Sequence, residues 1–137
     1  MKAILLIDHG SVRAEANEML ASMRTLVQQM AGDDVIVRIA HMELAEPTIA
    51  QGFAACVQAG ASEVMAFPYM LSPGKHSTRD IPRLVAEAAQ AFPDVAYAVT
   101  PAFGLHDKLA EVVLERAGIL APAMERVPDG ILPNSVR

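Results

Sequence analysis

Four short, largely apolar runs alternate along the chain with four stretches of helical periodicity, and the first, over residues 3–7, is continuously aliphatic. Buried parallel strands joined by crossover helices read this way. The expected architecture is therefore α/β: a three-layer sandwich with a four-stranded, mostly parallel sheet and helices on both faces. Composition agrees. Hydrophobic residues make up 53% of the 137 residues but aromatics only 4%, so Ala, Val, Leu, Ile and Met carry the apolar content.

The first strand is expected over residues 3–7, running into Asp8-His9-Gly10-Ser11. A helix over about 13–30 follows, with Met19, Leu20, Met23, Leu26, Val27 and Met30 on one apolar face. Gly32-Asp33-Asp34 stops it. The second strand covers 35–40. The second helix starts at Glu46-Pro47-Thr48 and runs to Gly60, turning Ile49, Phe53, Cys56 and Val57 inward. The third strand is 63–70, and a loop containing Pro73-Gly74 runs over 71–77. A third helix over about 78–91 carries Ile81, Leu84, Val85, Ala88 and Phe92 on one stripe. Pro93-Asp94 turns the chain into a fourth strand over 95–100, and a fourth helix over 105–117 ends at a Gly118 cap. Residues 1–120 thus read as one domain. Residues 121–137, with Pro122, Pro128 and Pro133, read as a loosely ordered or partner-contacting tail.

The formal net charge is −5, with 11 Lys and Arg scattered among 16 Asp and Glu, so no basic face for nucleic acid is expected. The single cysteine, Cys56, cannot build a disulfide framework, a multi-cysteine zinc site or an iron–sulfur cluster. No apolar run approaches the roughly 18 residues of a membrane span. The apolar start is broken at Asp8, too early for a secretory signal, so a cytoplasmic protein without membrane association is expected.

In a parallel sheet the ligand site lies beyond the carboxyl ends of the strands. His9, His41, His76 and His106 each follow a strand, as do Glu43 and Glu46. Imidazole and carboxylate together hold a borderline divalent metal or move protons near neutral pH. Each residue also has a plainer reading. His9 can bond backbone, Asp8 can face a helix dipole, His41 can pack over the sheet end, and His106 and Glu46 can serve first helical turns. Two loops tip the balance toward a ligand. Gly10-Ser11 makes a small turn offering free N–H groups to an anion, and residues 72–79 surround His76 with hydroxyls and the cations Lys75 and Arg79.

Leu6-Ile7-Asp8-His9-Gly10-Ser11, with Arg13 and Asn17, resembles the opening of the sirohydrochlorin chelatases. His41-Met42-Glu43-Leu44-Ala45-Glu46-Pro47 resembles the block after their second strand, and residues 68–82 resemble their third block. The resemblance implies a chelatase-like fold with flavodoxin-like winding. It implies an enzyme inserting Co²⁺ or Fe²⁺ into sirohydrochlorin, an octacarboxylate tetrapyrrole, on the routes to cobalamin and siroheme. It also implies a homodimer. The divalent metal is substrate, and no iron–sulfur cluster is expected.

On that resemblance His9, Glu43 and His76 are the metal ligands, and His9 and Glu43 act in catalysis. Substrate contacts fall on Gly10, Ser11, Met42, Ala45, Met70, Leu71, Ser72, Pro73, Gly74, Lys75, Ser77 and Arg79. Asp8 stands where members often carry Gly, and Lys75 where Arg is common; Lys keeps the charge but loses the bidentate fork. His9 is the expected proton acceptor, since imidazole is the side chain best suited to general-base work near neutral pH. Two other functions use similar residues. A histidine-nucleophile phosphohydrolase would want a phosphate-binding Arg where Asp8 stands. A metal or tetrapyrrole carrier would use the same ligands without chemistry.

Overall fold

A computed structural model of the chain describes residues 1–123. The expected tail lies almost wholly outside the described residues. The chain divides into two compact units, Met1–Gly104 and Leu105–Arg137. The first contains β1 (Lys2–Asp8), α1 (Ala14–Ala31), β2 (Val35–His41), α2 (Ile49–Gln58), β3 (Glu63–Pro68), a π-helical turn (His76–Asp80), α3 (Ile81–Ala89) and β4 (Ala96–Val99). The second contains α4 (Asp107–Arg116).

The sheet is parallel throughout, in the order β2-β1-β3-β4. Period-two alternation along β1 makes the three layers. Ala3, Leu5 and Ile7 face α2 and α3 and join Phe53, Cys56, Ile81 and Val85 in the larger core. Leu6 and Ile4 face α1, where Leu20, Met23 and Val27 pack on Val37 and Ile39.

Three helix ends have a local cause. Thr48 caps α2 with a reciprocal box: its hydroxyl accepts from Gln51 N–H, and the Gln51 side chain accepts from Thr48 N–H. Gly32, at φ 84°, ends α1. Gly118, at φ 76°, follows α4 and donates to Glu115 O. Gly52 lets α2 lie close on the sheet; a Cβ there would come within 2.8 Å of Ile39 O and 2.9 Å of Leu5 Cδ1.

Two expectations are corrected. The apolar face of α1 is narrower than the spacing implies, because Met19, Leu26 and Met30 are 74%, 54% and 89% exposed. They lie roughly a quarter to a third of a turn round from Leu20. On the helix's other flank Arg24 and Gln28 bond the edge strand β2. The third helix also does not begin at residue 78: the turn 76–80 is π-helical and α-helical bonding starts at Ile81. A π turn is one residue wider than an α turn and tends to occur where a side chain must be re-aimed for function. Here it carries His76.

Candidate metal centre

β1 and β2 run in register to their last rung, Asp8 opposite His41. The backbone stays paired beyond the sheet: Met42 N–H donates to Asp8 O at 2.8 Å and Glu43 N–H to His9 O at 3.1 Å. Gly10 has to be glycine. Its φ is +93°, and a Cβ would fall 1.8 Å from Glu43 O. This stitching brings His9 Nε2 to 3.1 Å from Glu43 Oε1. The chain leaves β3 through Tyr69 and Met70, which Phe103 N–H pins by donating to Met70 O at 3.0 Å. It returns through the π turn with the His76 ring centroid 5.0 Å from that of His9, edge to face at 72°.

Histidines 9 and 76, from two different strand ends, therefore share one spot at the carboxyl edge of the sheet, and Glu43 adjoins it. All three side chains are about half exposed. Among the described residues no three His, Cys, Asp or Glu side chains already surround a single ion-sized point. The side chains stand as adjoining pairs, with His9 turned to Glu43 and His76 turned to Asp80.

Asp80 was not among the expected site residues. Its Oδ2 accepts from His76 Nδ1 at 3.0 Å, which fixes the tautomer and leaves Nε2 bare for a metal. Burial works to raise the Asp80 pKa, but hydrogen bonds from His76 and Arg79 and the Arg79 charge hold it below the ordinary carboxylate value. The i, i+4 spacing of His76 and Asp80 on a helical turn was a usable signal. Leu44 was also passed over. It follows Glu43 at φ +71°, a costly conformation for a branched side chain, and is 60% exposed.

Of the expected substrate contacts, Leu71, Ser72, Pro73, Gly74, Lys75 and Arg79 are exposed on the loop bearing His76. Arg79 Nε lies 3.3 Å from Asp80 Oδ1. Ala45, Met42 and Met70 are half-buried. Met42 also lines a groove of about 250 Å³ with Ile49, Leu84 and Ala88.

Two contacts are differently employed. Ser77 is 7% exposed, and its hydroxyl is taken up by the Gly74 N–H and C=O, so it braces the turn. Two of the N–H groups expected to be free after Gly10 are taken: Ser11 N–H donates to Asn17 Oδ1 and Arg13 N–H to Ser11 Oγ, both at 3.0 Å. His41 is 2% exposed and bonded to Asp8, and His106 caps α4 by accepting from Lys108 N–H at 3.0 Å.

A family model described as CbiX matches residues 3–119. The chain belongs to the CbiX family. It is 44% identical over 113 residues to the chloroplastic sirohydrochlorin ferrochelatase of Arabidopsis thaliana, covering 82% of this chain and 50% of that protein. The sirohydrochlorin chelatase SirB from Bacillus subtilis subspecies spizizenii, solved in complex with cobalt, superposes with a TM-score of 0.78 at 30% identity, over 88% of this chain and 51% of that one. A cobalamin (vitamin B12) biosynthesis CbiX protein from Marinobacter aquaeolei VT8, at 21% identity and TM-score 0.71, shares the fold over 86% of this chain and 95% of its own. The CbiX chain thus spans about half the length of the Arabidopsis and Bacillus relatives. Among the described residues no helix is long and apolar enough to cross a membrane.

Proposed function

We propose that this chain is a chelatase that inserts Co²⁺ or Fe²⁺ into sirohydrochlorin, with His9, Glu43 and His76 as the metal's protein ligands. The observation that carries the reading is the 5.0 Å approach of the His9 and His76 rings beside Glu43 in a chain of the CbiX family. Two imidazoles and one carboxylate suit a borderline divalent ion. Three ligands on half-exposed side chains leave coordination positions open, as an ion in transit requires.

Insertion needs the ion partly stripped of water and two pyrrole N–H protons removed. His9 is the proposed acceptor, and Glu43, 3.1 Å away, can receive the proton from it. Lys75, Arg79 and Ser72 are proposed to meet the macrocycle's carboxylates. Leu44, Met70 and Leu71 would support its face. Ser77 and Gly10 act through the backbone shape they impose. The same reading takes the protein to be cytoplasmic, which suits a lone reduced Cys56, and serves either cobalamin or siroheme synthesis. It also takes a second copy of the chain as the opposite wall of the cleft.

An anaerobic spectral assay with sirohydrochlorin and each metal tests this. Wild type should convert the macrocycle. His9→Ala and His76→Ala should each lose at least about a hundredfold in rate, the scale of a lost general base or ligand, with circular dichroism unchanged. Retained rates in both variants overturn the assignment. Binding of metal and macrocycle without insertion would make the protein a carrier.

A further inference from the structure

Two groups beside the site have no part in the proposed reaction. Asp8 Oδ1 and His41 Nδ1 lie 2.6 Å apart on the last rung of the β1–β2 ladder. His41 is 2% exposed, and the Asp8 side chain 21%. The carboxylate oxygen accepts, so Nδ1 carries the proton. The rungs below on the same face are apolar, with Leu6, Val37 and Ile39 packed on α1. A buried polar pair costs desolvation and is weak evidence of a stability role. What it does supply is direction, because a short hydrogen bond holds two strand ends at one spacing.

The consequences run straight into the site. The residues bonded by their side chains are each followed by site residues: Asp8 by His9 and Gly10, His41 by Met42 and Glu43. Between these two segments run the Met42 N–H to Asp8 O and Glu43 N–H to His9 O bonds. The far side of the second segment is held as well, since His41 N–H donates to Pro47 O at 2.8 Å. A change in the spacing of the last rung is therefore passed to the 3.1 Å separation of His9 Nε2 and Glu43 Oε1.

We propose that Asp8 and His41 are positioning residues whose hydrogen bond sets the His9–Glu43 spacing for metal binding. The proposal rests on reading His9, Glu43 and His76 as the metal donors. Its variants separate position from stability. Asp8→Asn keeps an oxygen to accept from His41. Asp8→Ala removes it. The double variant Asp8→Leu/His41→Phe replaces the pair by apolar groups of similar volume, a change that tends to preserve stability.

Co²⁺ is titrated into each protein anaerobically, following its visible absorption, and thermal unfolding is measured alongside. Asp8→Asn should bind within about threefold of wild type. Asp8→Ala and the double variant should bind about tenfold or more weakly, the scale of a lost outer-shell partner, and the double variant should unfold at or near the wild-type temperature. In a Glu43→Ala background Asp8→Ala should cause no further loss. Wild-type affinity in the double variant, or full additivity with Glu43→Ala, overturns the proposal. Should wild type bind Co²⁺ but not insert it, the chelatase reading fails and the positioning claim is still decided by these titrations. Should wild type bind no Co²⁺, the metal reading fails. Histidine ring NMR then decides, and His9 signals unmoved by Asp8→Ala overturn positioning.

Discussion

Asp80 acts on a single bond. By accepting from His76 Nδ1 it holds the ring at one tautomer and presents Nε2. Asp80→Ala is expected to weaken Co²⁺ binding by about tenfold or more, whereas Asp80→Asn, which keeps an acceptor, should retain most of it; isothermal titration measures both. The lowered pKa of Asp80 gives a second readout. A carboxyl whose pKa is lower folded than unfolded contributes stability above its unfolded value and loses it as pH falls through the folded value. The stability gap between wild type and Asp80→Asn in urea unfolding should therefore be full at pH 6 and close as pH drops below about 4. A gap that is constant across that range would contradict the assigned charge interaction. Cys56 is a contrast. Burial pushes its thiol up to about 11 against the opposing charge of Arg38, which marks an inert core residue.

At the scale of elements, α1 and α2 meet the sheet differently. β2 is an edge strand, and α1 lays Gln28 along it: the side chain donates to Val35 O at 2.7 Å and accepts from Val37 N–H at 3.0 Å. Edges left open invite pairing with another chain. Gln28→Ala should cost about 1–3 kcal/mol, the scale of partly buried backbone groups left unpaired, measured by chemical denaturation. A change below about 0.3 kcal/mol would mean water replaces the amide without loss. α2 instead lies flat on the strands through Gly52. Alanine should gain about 1 kcal/mol in helix propensity. Its Cβ meets Ile39 O at 2.8 Å, a backbone atom that cannot step aside, so overpacking of about 1–3 kcal/mol should win. Gly52→Ala is therefore expected to lower the unfolding midpoint, and a raised midpoint would show that α2 can shift outward.

At the scale of the whole molecule, the proposed donors His9, Glu43 and His76 lie about half exposed. The Arabidopsis and Bacillus relatives are about twice as long. A flat macrocycle bound on such a surface would stay open to water on one face. Dimerisation, as proposed, supplies the second wall. Sedimentation equilibrium should give about twice the chain mass of 14.6 kDa. A monomer at all concentrations used in the activity assay would remove the second wall and leave the site to act alone.

The order of elements, their layers and the sheet edge on which His9, Glu43 and His76 gather were all readable from the chain. Largely apolar runs, three- and four-residue spacings and turn residues are local, and parallel strands oblige their carboxyl ends to share an edge. The narrow face of α1 was not readable, because Met19, Leu26 and Met30 have helical spacing whether or not a sheet lies beneath them. Nor was the fate of Ser77 and of the Ser11 and Arg13 N–H groups: a hydroxyl or an amide looks free in sequence until a turn closes and brings its partner within 3 Å. His41 and Asp8 stand 33 positions apart; only the strand register makes them a pair. Residue types state which chemistry is possible. Which atoms meet depends on long-range pairing, and that pairing is a property of the folded chain.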